Sequence, residues 1–346
     1  MSGGMNGGMS GGMGGDTGGG LVSPDAITTS RAAVAGPFQG ETLGPATPGF
    51  NQPGNLARWD DAPRVTACFT ELAEGLAFDT HPAGREASLT FADLHARPPR
   101  RKTLVTLRAP GRALLRQQLD LVAAYADLRG DRAAEVVAQM TFPIGFWSAL
   151  IGISPHRHKT TLQLIELVFS LAVHVEMRFK HIFAILRPVA LSPQIHPMVP
   201  TPGHASWPSG HATEAFATAT LLESLLDAAR PATQDGQAAR QQLQRLAARI
   251  AVNRTVAGLH YPVDSAGGRL LGTALGEFLV ARARGGSVRL RGFDSTQFTD
   301  PGGAPKDFRL GDPLDAGACR KEGPPIALPQ ADTVGWLWQE ALKEWS

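Results

Sequence analysis

The chain has 346 residues, with 33 Lys and Arg against 31 Asp and Glu and a formal charge of +2. With 18% charged and 43% hydrophobic residues it is too apolar for a disordered acidic chain and too evenly charged to bind nucleic acid along its whole surface. That length holds one large domain or two small ones; the balance points to a small-molecule partner, no nucleic acid, and leaves homo-oligomerisation open.

From the N-terminus, Met1, Met5, Met9 and Met13 recur on a Met-x-Gly-Gly spacing that loses too much backbone entropy on ordering to fold alone. Thioethers on glycine spacers are a weak metal signal beside that entropy. No basic segment precedes an apolar one there, so no secretory leader is expected. Residues 21–56 stay rich in Pro, Gly and Thr, and 1–56 reads as a flexible arm. Cys68 and Cys319 show neither metal-ligand spacing nor a disulfide framework. The longest uncharged run, QMTFPIGFWSALIGISP at 139–155, falls short of the roughly 20 apolar residues a membrane span needs. The expectation is a soluble chain without a membrane segment, in the cytoplasm.

Helical periodicity begins with RALLRQQLDLVAAYADLRG, where Leu115, Leu119, Val122 and Leu128 form one stripe and Gly130 is placed to end it. Further helices are expected near 131–140, 160–187, 209–229, 236–254 and 262–283, with Pro188 and Pro208 at boundaries. SLTF near 88, TLVTL near 103 and SVRLRGF near 287 read as short strands, with no alternating series to build a sheet. The last segment, GWLWQEALKEW, offers Trp336, Leu337, Trp338 and Leu342 to the core. The expected fold class is all-α, a helical bundle with short peripheral strands at most: a helical domain at 57–285, its motifs in 160–285, and a loop-rich extension at 286–346.

Several charges point inward. The stripe Leu243, Leu246, Ala247 and Ile250 continues to Arg254, placing a guanidinium toward the core, where it must snorkel or meet an anion. Lys180 and Arg187, seven apart, lie within roughly 20° of each other on one helix. Ser209 is placed to cap a helix, Gly210 lets its backbone come close to a ligand, and the unpaired N–H groups of that helix start, ahead of His211 and the run that follows, suit an oxyanion. His260 precedes Pro262, and Asp264, four residues on, accepts from one imidazole nitrogen and leaves the other as nucleophile or ligand. His156 and His158 read as solvated, His174 as a satisfied core or interface histidine, and His181 as a neighbour of the site.

In order, Lys180-x6-Arg187-Pro188, Pro208-Ser209-Gly210-His211 and Arg254-x5-His260-x3-Asp264 resemble the three-part signature of the type 2 phosphatidic acid phosphatase and vanadium haloperoxidase superfamily, over roughly 160–285. The resemblance implies that Lys180, Arg187, Ser209, Gly210 and Arg254 hold the oxygens of phosphate or vanadate. It implies that His260 bonds to phosphorus or to the vanadium of a vanadate cofactor, that His211 exchanges a proton at the apical oxygen, and that Asp264 orients His260. Asn253 departs from the family's usual serine and puts the finer geometry in doubt. The pattern His204-x-x-Trp207-Pro-Ser-Gly-His resembles haloperoxidases and adds His204 to the expected catalytic set, whereas Met177 stands where such enzymes tend to carry Arg or Trp. The first expectation is therefore vanadate-dependent halide oxidation by hydrogen peroxide. The alternatives are a soluble acid phosphatase working through a phosphohistidine, and a non-catalytic oxyanion-binding module.

Overall fold

The computed structural model describes residue 31 and residues 33–40, 48–229 and 234–345; the methionine-glycine repeat lies outside them. The chain divides into two compact units, Met1–Ala67 and Cys68–Ser346. In the first, Arg64 Nε and Nη2 donate to the carbonyls of Leu56 and Trp59 at 2.9 and 2.6 Å, closing a short 3-10 turn at Pro53–Arg58 onto the start of α1, Asp61–Ala73.

The second unit overturns the all-α expectation. Strands β1 (Leu76–His81), β2 (Glu86–Ala92) and β3 (Arg101–Arg108) form an antiparallel meander. β3 then pairs in parallel with β5 (Arg291–Asp294), and β5 antiparallel with β6 (Cys319–Lys321), giving a five-stranded mixed sheet in the order β1-β2-β3-β5-β6. A separate short ladder joins β4 (Ser287–Val288) to β7 (Ile326–Ala327). The predicted strand segments are therefore centres of a sheet. Leu89, Val105, Leu107 and Phe293 are buried in it, and β2, β3 and β5 are covered on both faces over most of their length.

The helices are α2 (Arg112–Ala124), α3 (Arg129–Ala138), α4 (Ile144–Ile151), α5 (Lys159–Phe183), the short α6 (Pro188–Leu191), α7 (Gly210–Ala229), α8 (Gln234–Val256), α9 (Pro262–Arg284) and α10 (Asp332–Lys343). Gly130 does not end a helix: a 3-10 turn at Tyr125–Leu128 leads directly into α3, which contains it. Leu337 and Trp338 of α10 are fully buried, as their amphipathic spacing requires, and Glu344 caps α5 by accepting from the amides of Thr160 and Thr161 at 2.6 and 2.8 Å.

Three glycines set the distance between α7 and α9. A β-carbon at Gly268 would fall 2.7 Å from the Ser209 carbonyl oxygen, at Gly272 2.2 Å from that of Thr213, and at Gly276 2.7 Å from Thr220 Cβ. Their i, i+4, i+8 spacing makes one bare stripe, so the two helix backbones touch and the starts of both helices converge.

The membrane expectation is corrected as well. The stretch Lys159–Leu191 is long and apolar enough to cross a membrane, with a mean hydropathy of 1.3, so the cytoplasmic location drawn from the lack of such a segment falls. A search for uncharged runs misses it because scattered charges interrupt a stretch whose average is high. Length and composition alone say this; 56% of its most apolar window is buried inside the protein.

Candidate active site

Lys180, in the last turn of α5, is 1% exposed, and its ammonium donates to the carbonyls of Ala205, Ser206 and Pro208 at 3.4, 3.3 and 2.5 Å. The lysine thus shapes the loop leading to Ser209. Arg187 does not share its helix as expected. α5 ends at Phe183, Ala184 takes a left-handed conformation with φ of 50°, and Arg187 becomes the residue before α6. The turn nevertheless buries Arg187 near the same loop, where Nε donates to the His204 carbonyl at 3.0 Å and Nη1 to that of Leu259 at 3.0 Å.

Arg187 Nη1 also lies 3.3 Å from His260 Nε2. On its other side, His260 Nδ1 is 2.9 Å from Asp264 Oδ2, which further accepts from Ser206 Oγ at 2.5 Å and from the Tyr261 amide at 3.2 Å. Pro262 at the first position of α9 and Asp264 in its first turn place this carboxylate at a helix start, where backbone donors and the dipole favour a negative charge. Burial, with Arg187 and Lys180 nearby, holds His260 well below its ordinary 6.5. Burial pushes Asp264 up to about 6, against the Ser206 and Tyr261 donors that favour its charge. At neutral pH the pair is a neutral imidazole on a carboxylate.

Ser209 is fully buried; its Oγ accepts from the Ala212 amide at 3.4 Å and its own amide donates to the Asp264 carbonyl at 3.0 Å, tying the start of α7 to that of α9. His211, the second residue of α7, places Nε2 2.9 Å from the carbonyl oxygen of Gln139, and burial together with Arg254 drives it down to about 3. Arg254, in the last turn of α8 and 1% exposed, sends Nη2 to the Val136 carbonyl and to Gln139 Oε1, at 3.1 and 3.2 Å. Its Nε is buried with no hydrogen-bond partner among the described residues.

That orphan donor is the test of fit for a tetrahedral oxyanion. A buried N–H without a partner costs about 1–3 kcal/mol. Here it stands with two further buried cations and a long helix's N-terminus, a donor set suited to phosphate or vanadate. Among the described residues there is no cluster of three or more His, Cys, Asp or Glu side chains for a bare metal ion.

His204 is exposed and joins the group at its edge, its Nδ1 accepting from Arg187 Nη2 at 3.2 Å; burial of part of the ring and Lys180 lower it to about 4. His158, expected to be solvated, is 6% exposed, accepting from the Ser154 amide at Nδ1 and lying against Trp345. His174, read as a core or interface histidine, is exposed with its ring edge-on to Phe69, and His181 is exposed on a cleft of about 440 Å³ that also holds Arg85 and Arg178.

Three residues were missed. Gln139 carries no charge and no motif. Glu176 and Glu214 lie one helical turn from Lys180 and His211, spacings from which their presence at the site was readable. Glu176 is 1% exposed, with Oε2 lacking a partner among the described residues, and its Oε1 would be 2.6 Å from a β-carbon at Gly210, so only glycine lets that carboxylate reach the start of α7.

A solved structure, the first transmembrane PAP2 type phosphatidylglycerolphosphate phosphatase from Bacillus subtilis, is 18% identical over 48% of this chain and 83% of its own, with a TM-score of 0.39, a likeness too low to transfer fold or activity. No curated protein matches the chain. Neither comparison singles out a haloperoxidase branch. The family model described as the PAP2 superfamily matches residues 161–284 and spans Lys180, Arg187, Ser209, Gly210, His211, Arg254, His260 and Asp264, so this part of the chain is a PAP2 superfamily domain.

Proposed function

We propose that the chain hydrolyses phosphomonoesters through a covalent phosphohistidine at His260, the reading that stood second to halide oxidation. The state of His260 carries it. Arginine only donates, so the 3.3 Å approach of Arg187 Nη1 makes Nε2 an acceptor, with the ring proton on Nδ1 facing Asp264. A neutral imidazole whose Nε2 lone pair faces buried cations, held only by a long contact from Arg187 that an incoming phosphoryl oxygen can take over, is a nucleophile beside a place for negative charge.

Lys180, Arg187 and Arg254 balance the charge that spreads over the equatorial oxygens during transfer. His260 Nε2 bonds to phosphorus while the ester P–O bond breaks, and His211 gives a proton to the departing oxygen. Burial, together with Arg254, Lys180 and Arg187, keeps His211 neutral in the free site; a bound phosphoryl dianion offsets the three cations and favours uptake of that proton. Water then attacks phosphorus, His211 takes its proton, and the N–P bond breaks to release phosphate. Vanadate suits the same donors, and bound there would supply peroxide activation. His204, on which the haloperoxidase preference rested, is exposed and partners Arg187, a position compatible with either chemistry.

The test compares hydrolysis of an aryl phosphate with oxidation of bromide or iodide by peroxide, with and without orthovanadate. Ester hydrolysis inhibited by vanadate is expected. Halide oxidation that requires vanadate, with no hydrolysis in its absence, would overturn the proposal.

A further inference from the structure

We propose that Gln139 is a positioning residue of this site, fixing His211 and Arg254 without touching the substrate; the inference rests on the phosphatase reading above. Gln139 ends α3, outside the matched segment 161–284, and is fully buried. Its main-chain oxygen faces His211 Nε2 at 2.9 Å, and its side-chain oxygen receives Arg254 Nη2 at 3.2 Å and Asn253 Nδ2 at 3.0 Å. Its amide nitrogen donates to Glu135 Oε1 at 3.2 Å.

Each contact has one consistent assignment. A carbonyl oxygen only accepts, so the proton of neutral His211 is on Nε2 and the lone pair that exchanges protons is on Nδ1. Two donors converge on Gln139 Oε1 and a carboxylate meets Nε2, so one orientation of the amide satisfies all three. Holding Arg254 by Nη2 commits one corner of the guanidinium to α3 and leaves Nε for an oxygen of the anion.

The departure at Asn253 has its explanation in the same network. Asn253 Oδ1 accepts from Arg132 Nη1 at 2.8 Å while its Nδ2 donates to Gln139, so one amide bridges α3 at two points one turn pair apart. The serine hydroxyl of the family pattern can also donate and accept, but from one oxygen on a shorter side chain, whereas the amide uses two atoms set apart. Glu135 completes the set by pairing with Arg249 at 2.7 Å, so Arg132, Glu135 and Gln139 present one face of α3 to Arg249, Asn253 and Arg254 of α8.

In the full chain, Gln139→Leu keeps the bulk and removes the acceptor, whereas Gln139→Glu keeps an acceptor oxygen. We expect Gln139→Leu to weaken phosphate inhibition and raise KM about tenfold, the loss of a hydrogen bond to a charged donor, with kcat changing less. Gln139→Glu should recover part of that affinity, at a pH low enough for its carboxyl to share a proton with Glu135 Oε1, and nitrogen-15 spectra of the wild type at neutral pH should show the His211 proton on Nε2. Unchanged phosphate inhibition in Gln139→Leu, or a proton on Nδ1, overturns the assignment. If Gln139→Leu does not fold, Asn253→Ser takes its place: a several-fold loss of phosphate affinity supports the network and no loss overturns it. A wild type that neither hydrolyses the ester nor binds phosphate refutes the phosphatase reading and this inference with it; a wild type that does both, matched by Gln139→Leu, refutes only the role of Gln139.

Discussion

Asp264 Oδ2 receives three donors, and the one that matters for chemistry is His260 Nδ1 at 2.9 Å. That bond fixes the tautomer, the ring's orientation and, once phosphorus is attached, the compensation of a cationic imidazole. Asp264→Asn keeps an acceptor of similar shape and removes the charge. Carboxylates that orient a histidine are worth about 10–100-fold, so kcat for aryl phosphate hydrolysis should fall in that range with little change in KM. Steady-state kinetics check it; an unchanged kcat would mean that Nε2 of His260 does not attack phosphorus.

The separation of α7 from α9 is set by backbone contact, and Gly272 is its tightest point. A methyl group at Gly272 would meet the Thr213 carbonyl oxygen at 2.2 Å, and neither side is a flexible chain end. Gly272→Ala should cost about 1–3 kcal/mol as overpacking, visible as a lowered urea midpoint. It should also cut hydrolysis, because pushing the helices apart separates Ser209 and His211 from His260. A variant as stable as the wild type would show that the two helices are not locked at this distance.

The motif side chains were legible because their chemistry is local: Ser209 precedes its helix, Asp264 sits four residues from His260, and both spacings survive folding. Arg187 reaches the His204 loop and His260 by a route its spacing did not announce. Its supposed helical register with Lys180 is broken at Ala184, whose left-handed turn no residue type announces. The sheet was missed because its central pairing, β3 with β5, joins residues 186 apart, as between Arg108 and Asp294, and because β2, β3 and β5 are buried along most of their length and so carry no alternating pattern. Gln139 was invisible because it contributes a backbone carbonyl and an amide, groups that carry no signature until a helix end brings them to a site.

Glu214 should make stability depend on pH. Burial pushes its carboxyl from 4.5 up to about 7, against Lys180 and Arg254, with Glu176 facing it from α5. The native state therefore keeps a proton between those two values that the unfolded chain has released, so stability falls as pH rises through the window and levels off above it. Glu214→Gln removes that slope. Denaturation midpoints of the two proteins should be closest at pH 5 and should separate toward pH 8 in favour of the variant. Parallel curves would place Glu214 in water.

Arg254 is the cation whose geometry is most fully determined, and replacing it by lysine separates charge from shape. The guanidinium is 1% exposed and anchored through Nη2 to Val136 and Gln139, and its Nε has no partner among the described residues. Burial lowers it only to about 10, so it stays charged at neutral pH. A lysine brings the same charge on a single nitrogen, which cannot hold the α3 carbonyls and also meet an oxyanion from a second direction. Arg254→Lys should therefore lose about 1.5–3 kcal/mol of phosphate affinity, the range for a hydrogen bond to a charged group, and KM should rise more than kcat falls. Inhibition by phosphate measures this directly. Affinity retained in the lysine variant would show that charge alone suffices and that the Nε edge does not face the anion.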